Sequence, residues 1–283
     1  MTRNNSDRLG VDVPENQPKE EPSEVVDATT EGLGYVVPTE IVDLPSEGRF
    51  YPEGHPLHGM EDIEIRFMTT KDQDILNNKA LIKKGKALER TIQGLLVNKS
   101  IRLNDMLVGD KNAVIIKARI SGIDENYNVN ITCPRCGTPD EYEYNLNDIK
   151  ANSGDPEAEV SPEGTFDIEL PLSKAVVTVR LLTGHDEKFL QEQEMKKKKH
   201  KLPETPLTDQ FKKLIVSVNG ETGGEVIGKF AENMLNKDAI ALSRRYNEVA
   251  PNIDLKQPFE CKSCDHSDFV TVPLTPEFFW PKR

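Results

Sequence analysis

Two Cys-x-x-Cys motifs, Cys133/Cys136 and Cys261/Cys264, hold every cysteine of this chain and sit in two segments that look like copies of each other. An offset of 128 positions carries Met106, Leu107, Asp110, Cys133, Cys136 and Leu146 onto Met234, Leu235, Asp238, Cys261, Cys264 and Leu274 without a gap. Upstream, an offset of 114 lays Arg66, Phe67, Thr69, Asp72 and Leu76 over Arg180, Leu181, Thr183, Asp186 and Leu190. The difference of 14 residues marks an insertion in the second half, near the lysine run at 196–199. Each copy supplies two thiolates, whereas a closed structural zinc site takes four ligands in a tetrahedron. The pattern predicts one Zn²⁺ per chain, shared between the halves and clasping them.

A chain of 283 residues that repeats itself is expected to form two related lobes with a sizeable joint core. Its 36 Lys and Arg against 48 Asp and Glu leave a net charge of −12, the wrong sign for a protein that coats phosphate backbones. No apolar run approaches the roughly 20 residues of a membrane span, and the opening MTRNNSDRLGVDVPENQ lacks the apolar region of a secretory signal. These features predict a soluble protein of the cytoplasm, where close cysteine pairs are metal ligands more often than disulfides.

The expected fold class is α+β, internally duplicated, each lobe built from a strand, helices and a zinc-knuckle hairpin. Residues 1–36 read as a disordered acidic tail, 37–60 as a proline-rich docking arm, 61–150 as the first lobe, 151–170 as a linker and 171–283 as the second lobe. The first lobe predicts a strand at 63–68, a helix after Thr69 or Thr70, helices at 87–97 and 103–118, then strand, knuckle, strand. The second predicts a strand at 176–182, a helix through Met195, helices at 211–218 and 225–246, then strand, knuckle, strand at 258–272. Thr69 with Asp72 and Thr183 with Asp186 have capping-box spacing. The lysine run reads as a solvated helix end.

A Cys-x-x-Cys turn aims two sulfurs at one metal, and Gly137 and Asp265, at matching positions, suit backbone with positive φ. Arg135 and Lys262 lie inside the turns, where a cation offsets the charge of four thiolates. The rival chemistry is a thioredoxin-like redox pair, which belongs at a helix N-terminus, whereas extended segments flank both pairs here. There is no glycine-rich phosphate loop, nucleophile elbow or paired catalytic carboxylate, so no enzyme is expected. At the C-terminal side Phe278, Phe279 and Trp280 have two readings: they fold back on the second lobe's core, or they anchor a neighbouring subunit.

The arm LPSEGRFYP, the T-x-x-D strand-to-helix segment, the Asp110 helix and the CPRC knuckle leading into EYEYNL resemble the baseplate protein family of T-even-type contractile-tailed bacteriophages. The resemblance spans about residue 38 to the end. It implies a non-enzymatic virion part or assembly factor of the baseplate hub, formed in the host cytoplasm, whose partners are other tail proteins. It further implies that Leu44, Pro45, Gly48, Phe50, Tyr51 and Pro52 carry the arm's role and the four cysteines the metal's. The alternative is a zinc-ribbon nucleic-acid-binding regulator, which the acidic charge disfavours.

Overall fold

A computed structural model describes residues 36–272 and 276–279. The chain forms β1 (Thr39–Asp43) and β2 (Asp62–Arg66), then helices α1 (Thr70–Leu76), α2 (Lys79–Lys83), α3 (Ala87–Leu95) and α4 (Val108–Gly122), and a hairpin of β3 (Asn126–Thr132) and β4 (Pro139–Asn145). A short strand β5 (Lys150–Asn152) leads to β6 (Thr165–Glu169), β7 (Val176–Arg180), α5 (Gly184–Lys199), α6 (Pro206–Leu214) and β8 (Ile215–Val218). Helices α7 (Gly224–Asn233) and α8 (Asn236–Val249) follow, then β9 (Asn252–Asp254) and a second hairpin, β10 (Lys256–Glu260) with β11 (Ser267–Thr271). The architecture is mixed helix and strand.

Two antiparallel pairs begin the two halves. β1 pairs β2 from Thr39↔Arg66 to Asp43↔Asp62, and β6 pairs β7 from Thr165↔Arg180 to Glu169↔Val176. Both first strands run into Leu-Pro, Leu44-Pro45 and Leu170-Pro171, where proline has no N–H to continue the ladder. At the end of each second strand an arginine grips the helix that follows. Arg66 makes bonds of 2.7 and 2.9 Å to Asp72, whose Oδ2 also accepts from the Thr69 amide and hydroxyl at 2.8 Å. Arg180 grips Asp186 at 2.7 and 2.9 Å, and Asp186 accepts from Thr183 at 3.0 Å. Both T-x-x-D segments therefore form capping boxes, with the acid clamped from outside by a bidentate guanidinium.

Helices α4 and α8 each bury an aspartate in the first turn, Asp110 and Asp238. Neither acid caps its own helix. Asp110 accepts from the Ser46 amide at 2.9 Å, the Ser46 hydroxyl at 2.6 Å and the Tyr51 hydroxyl at 2.7 Å. Asp238 accepts from the amides of Leu172 and Ser173 at 2.8 and 3.0 Å. Each carboxylate thus collects the backbone just beyond a Leu-Pro turn, and the buried carboxylates themselves gain the donors they need. Burial pushes the Asp110 carboxyl up, against the pull of the Ser46 and Tyr51 donors.

The buried apolar side chains form one main cluster that runs from Val42 to Phe279 through both halves. Phe50 meets Phe166 edge-on at 6.2 Å, and Arg49 donates to the carbonyls of Asp155, Pro156 and Ala158. The halves are therefore not a loose pair waiting for a clasp; apolar burial already joins them.

Several elements differ from their sequence reading. Residues 39–43 of the arm form β1, and the stretch read as a linker holds β6 and most of β5. Composition concealed β6, because Pro, Gly and Ser crowd the residues before it while Phe166 and Ile168 alternate inward with Asp167 and Glu169 outward. The helix expected at 211–218 stops at Leu214, since Ile215–Val218 pairs with β7. The helix expected at 225–246 breaks at Met234 and Leu235, both extended, and α4 starts at Val108, preceded by a single 3-10 turn at Leu103–Asp105.

The Tyr51 hydroxyl also accepts from the Leu107 amide at 2.9 Å, so it serves two buried groups. Tyr51→Phe is expected to destabilise the fold by about 1–3 kcal/mol, the cost of leaving a buried donor and acceptor short of a partner, measured by urea denaturation. Burial pushes the Asp72 and Asp186 carboxyls up, but the bonds from Arg66 and Thr69, and from Arg180 and Thr183, outweigh it and hold both below the usual carboxylate range. A depressed folded pKa stabilises the fold above the unfolded value of about 4, and that contribution is lost as pH falls through the folded pKa. The urea midpoint is expected to drop with acid below about pH 4, and less steeply in a D72N/D186N variant.

Candidate metal centre

Both cysteine motifs lie at the tips of hairpins, β3–β4 and β10–β11, and the turns are built alike. The Cys133 amide donates to Thr138 O at 3.0 Å and the Gly137 amide to Cys133 O at 2.9 Å. In the second turn the Cys261 amide donates to His266 O at 2.9 Å and the Asp265 amide to Cys261 O at 3.2 Å. Gly137 at φ 72° and Asp265 at φ 51° take the left-handed backbone their sequence positions suggested. An amide also points at sulfur, from Ser263 to Cys261 Sγ at 3.4 Å.

The hairpins bring the four sulfurs together, all within 4.8 Å of one another. Cys133 Sγ lies 3.8 Å from Cys264 Sγ, and Cys136 Sγ lies 3.6 Å from Cys261 Sγ. A tetrahedral ion with Zn–S bonds of about 2.3 Å requires S···S edges of about 3.8 Å, which these two contacts match, and the whole set lies within about 1 Å of that spacing. The close contacts are reciprocal: the first cysteine of each motif faces the second of the other.

Beneath the sulfurs, Cys133, Cys261 and Phe259 form a small apolar cluster of their own, against which Ile131, Tyr142 and Val270 pack. The Tyr142 and Phe259 rings meet at 4.9 Å, and the Tyr142 hydroxyl donates to Glu260 O at 3.1 Å. Lys262, expected to offset thiolate charge, instead reaches the opposite hairpin. It pairs with Asp140 at 3.1 Å, donates to Glu141 O at 3.0 Å and sits over the Tyr142 ring. Arg135 is exposed. Alternating Tyr142 and Tyr144 in the EYEYN run carried the signal for the aromatic support, but only the pairing of hairpins identifies its partner.

Four thiols this close cannot all ionise without a cation among them. The hydrogen bonds with the Thr138 side chain and backbone bring the exposed Cys136 thiol down to about 6. At Cys264 the backbone bond to His266 pulls the same way, but desolvation and the neighbouring thiols win and push it up to about 12. The half-buried His266 lies near Asp268, outside the sulfur cluster.

The residues named for the arm and the aromatic turn are mostly buried. Leu44, Pro45, Gly48, Phe50 and Tyr51 are buried, and only Pro52 of that set is exposed. An added Cβ at Gly48 would meet Met60 N at 2.3 Å, so this glycine serves close backbone approach. Phe278 and Phe279 are buried too, and Phe278 packs on the first half. The Phe278 ring meets Tyr127 at 4.9 Å, and its carbonyl accepts from the buried Arg119 Nε at 2.8 Å. These aromatics are large apolar groups with an available core, and burying them stabilises the fold directly. Trp280 lies outside the described residues, as does nearly all of the expected acidic tail.

A family model described as T4 bacteriophage base plate protein matches residues 37–280. No curated protein and no solved structure matches the chain.

Cobalt(II), whose thiolate complexes absorb visibly, reports on this site in solution. Cys133→Ser is expected to abolish the cobalt–thiolate band, and Arg135→Ala to leave it unchanged, as read by absorption titration.

Proposed function

Because the chain belongs to the T4 bacteriophage base plate protein family, we propose that it is a non-enzymatic component or assembly factor of the baseplate hub, whose two halves are repeats held in fixed register by a structural zinc ion. Other phage tail proteins are its partners. The observation that carries the reading is the sulfur cluster, with two thiols from each half and all four within 4.8 Å. Four protein ligands leave no open coordination position, so the ion's contribution is to hold geometry.

The repeat reading is supported by features in matched order. In each half a strand, a Leu-Pro turn and a second strand precede an arginine-clamped capping box, an aspartate-headed helix and a knuckle hairpin. An offset of 126 relates β1 to β6, in addition to the offsets of 114 and 128 downstream. The first repeat then has 18 residues between its strands, 44–61, where the second has six, 170–175. The proline-rich arm is this extra loop. Its buried residues Leu44, Pro45, Gly48, Phe50 and Tyr51 hold the loop in place, and its exposed crest, with Pro52, makes the subunit contact.

Zinc analysis of the purified chain is expected to give one ion per chain; two, or none, would overturn the shared site. Mass spectrometry of purified virions tests the hub role. Fixed stoichiometry with other hub proteins fits a virion part, and absence from virions together with defective hubs when the gene is deleted fits an assembly factor. Normal hub assembly after deletion would sink both.

A further inference from the structure

The thiol cluster has a geometry that suits a second chemistry, beyond metal binding. We propose that the four cysteines are also an oxidation site, at which a peroxide closes two disulfides across the hairpins, Cys136–Cys261 and Cys133–Cys264, rather than local bridges within each Cys-x-x-Cys. This rests on the zinc reading only for the resting state of the thiols.

Exposure and distance sort the four sulfurs into two reactive pairs. Cys136 is exposed, and 3.6 Å away lies the buried Cys261; Cys264 is half-buried, and 3.8 Å away lies the buried Cys133. Each pair therefore joins a sulfur that a small oxidant can reach to one that it reaches poorly, and the two belong to different hairpins. Oxidation starts at the accessible sulfur, and a buried thiol of the other hairpin, 3.6 or 3.8 Å away, resolves the product. A disulfide needs S–S near 2.05 Å, so each pair must close by roughly 1.6–1.8 Å, within reach of side-chain rotation at a hairpin tip.

The electrons balance with hydrogen peroxide as the oxidant. The Cys136 sulfur attacks one peroxide oxygen: an S–O bond forms, the O–O bond breaks and hydroxide leaves. The Cys261 thiolate then attacks the Cys136 sulfur, forming S–S and expelling the second hydroxide. Two thiols have lost two electrons to one peroxide, and the protons they release convert both hydroxides to water. A second peroxide does the same at Cys264 and Cys133. The thiolates that bound the ion are consumed, so the ion leaves while the hairpins stay joined covalently.

The sequence makes the pairing readable, because trypsin cuts after Arg135 and Lys262 and so places each cysteine on its own peptide. The full-length chain, as purified and in a chelator-treated portion, would be given one and then two equivalents of hydrogen peroxide, alkylated, digested without reductant and mapped by mass spectrometry. The expected result is Cys136–Cys261 first, then both cross-hairpin links, with zinc release followed by a metallochromic dye. In Cys136→Ser the Cys133–Cys264 link is expected alone. A majority of Cys133–Cys136 and Cys261–Cys264 bridges in the as-purified sample, or sulfinic acids in place of bridges, overturns the proposal. The zinc reading fails separately: a metal-free chain that still forms cross-hairpin links removes zinc and keeps the oxidation site, whereas one zinc per chain with local bridges does the reverse.

Discussion

The continuous apolar core is what the rest of the structure depends on. It runs from Val42 in the first half to Phe279 at the far end of the described chain. Two polar devices let it close. Asp110 and Asp238, at the heads of α4 and α8, accept the backbone donors released where each Leu-Pro turn ends a strand. Arg119 is spent on carbonyls of Asp124, Asn126 and Phe278, binding the aromatic turn to the first half. Burying a guanidinium is costly unless its donors are satisfied, and three carbonyls around it meet that condition.

The sulfur cluster sits on a small apolar patch of its own, joined to this core through Ile131, Tyr142 and Val270. Two-stranded hairpins are marginally stable alone, and these two extend from the body with few buried side chains near their tips. Contacts from Lys262, Tyr142 and Phe259 tie them together from beneath. An ion at the tips, or disulfides in its place, would govern the rigidity of this outer region rather than the folding of the whole. For a building block of a larger assembly, that is where fixed geometry has value.

The sequence left the aromatic turn open between its own core and a neighbouring subunit, and gave the arm only as a docking segment. Phe50, Tyr51, Phe278 and Phe279 have prolines and turn formers as neighbours, which is compatible with either setting. Local sequence cannot say whether an apolar side chain meets another chain or its own core. Here Phe166, Tyr127 and Arg119, each distant in sequence, complete the contacts. The strand β6 escaped notice for a related reason, since its pairing with β7 outweighs the loop-like composition before it.

Residue spacing by itself determined the two cysteine turns and the capping boxes at Thr69 and Thr183, because each is a local geometry set by a few adjacent residues. Tertiary structure decided which sulfurs face each other, that Asp110 and Asp238 serve other segments rather than their own helices, and that the halves share one core. Those outcomes depend on burial and on partners more than 60 positions away. No local preference encodes them, since the free energy of removing apolar surface from water is assigned only when the whole chain has closed on itself.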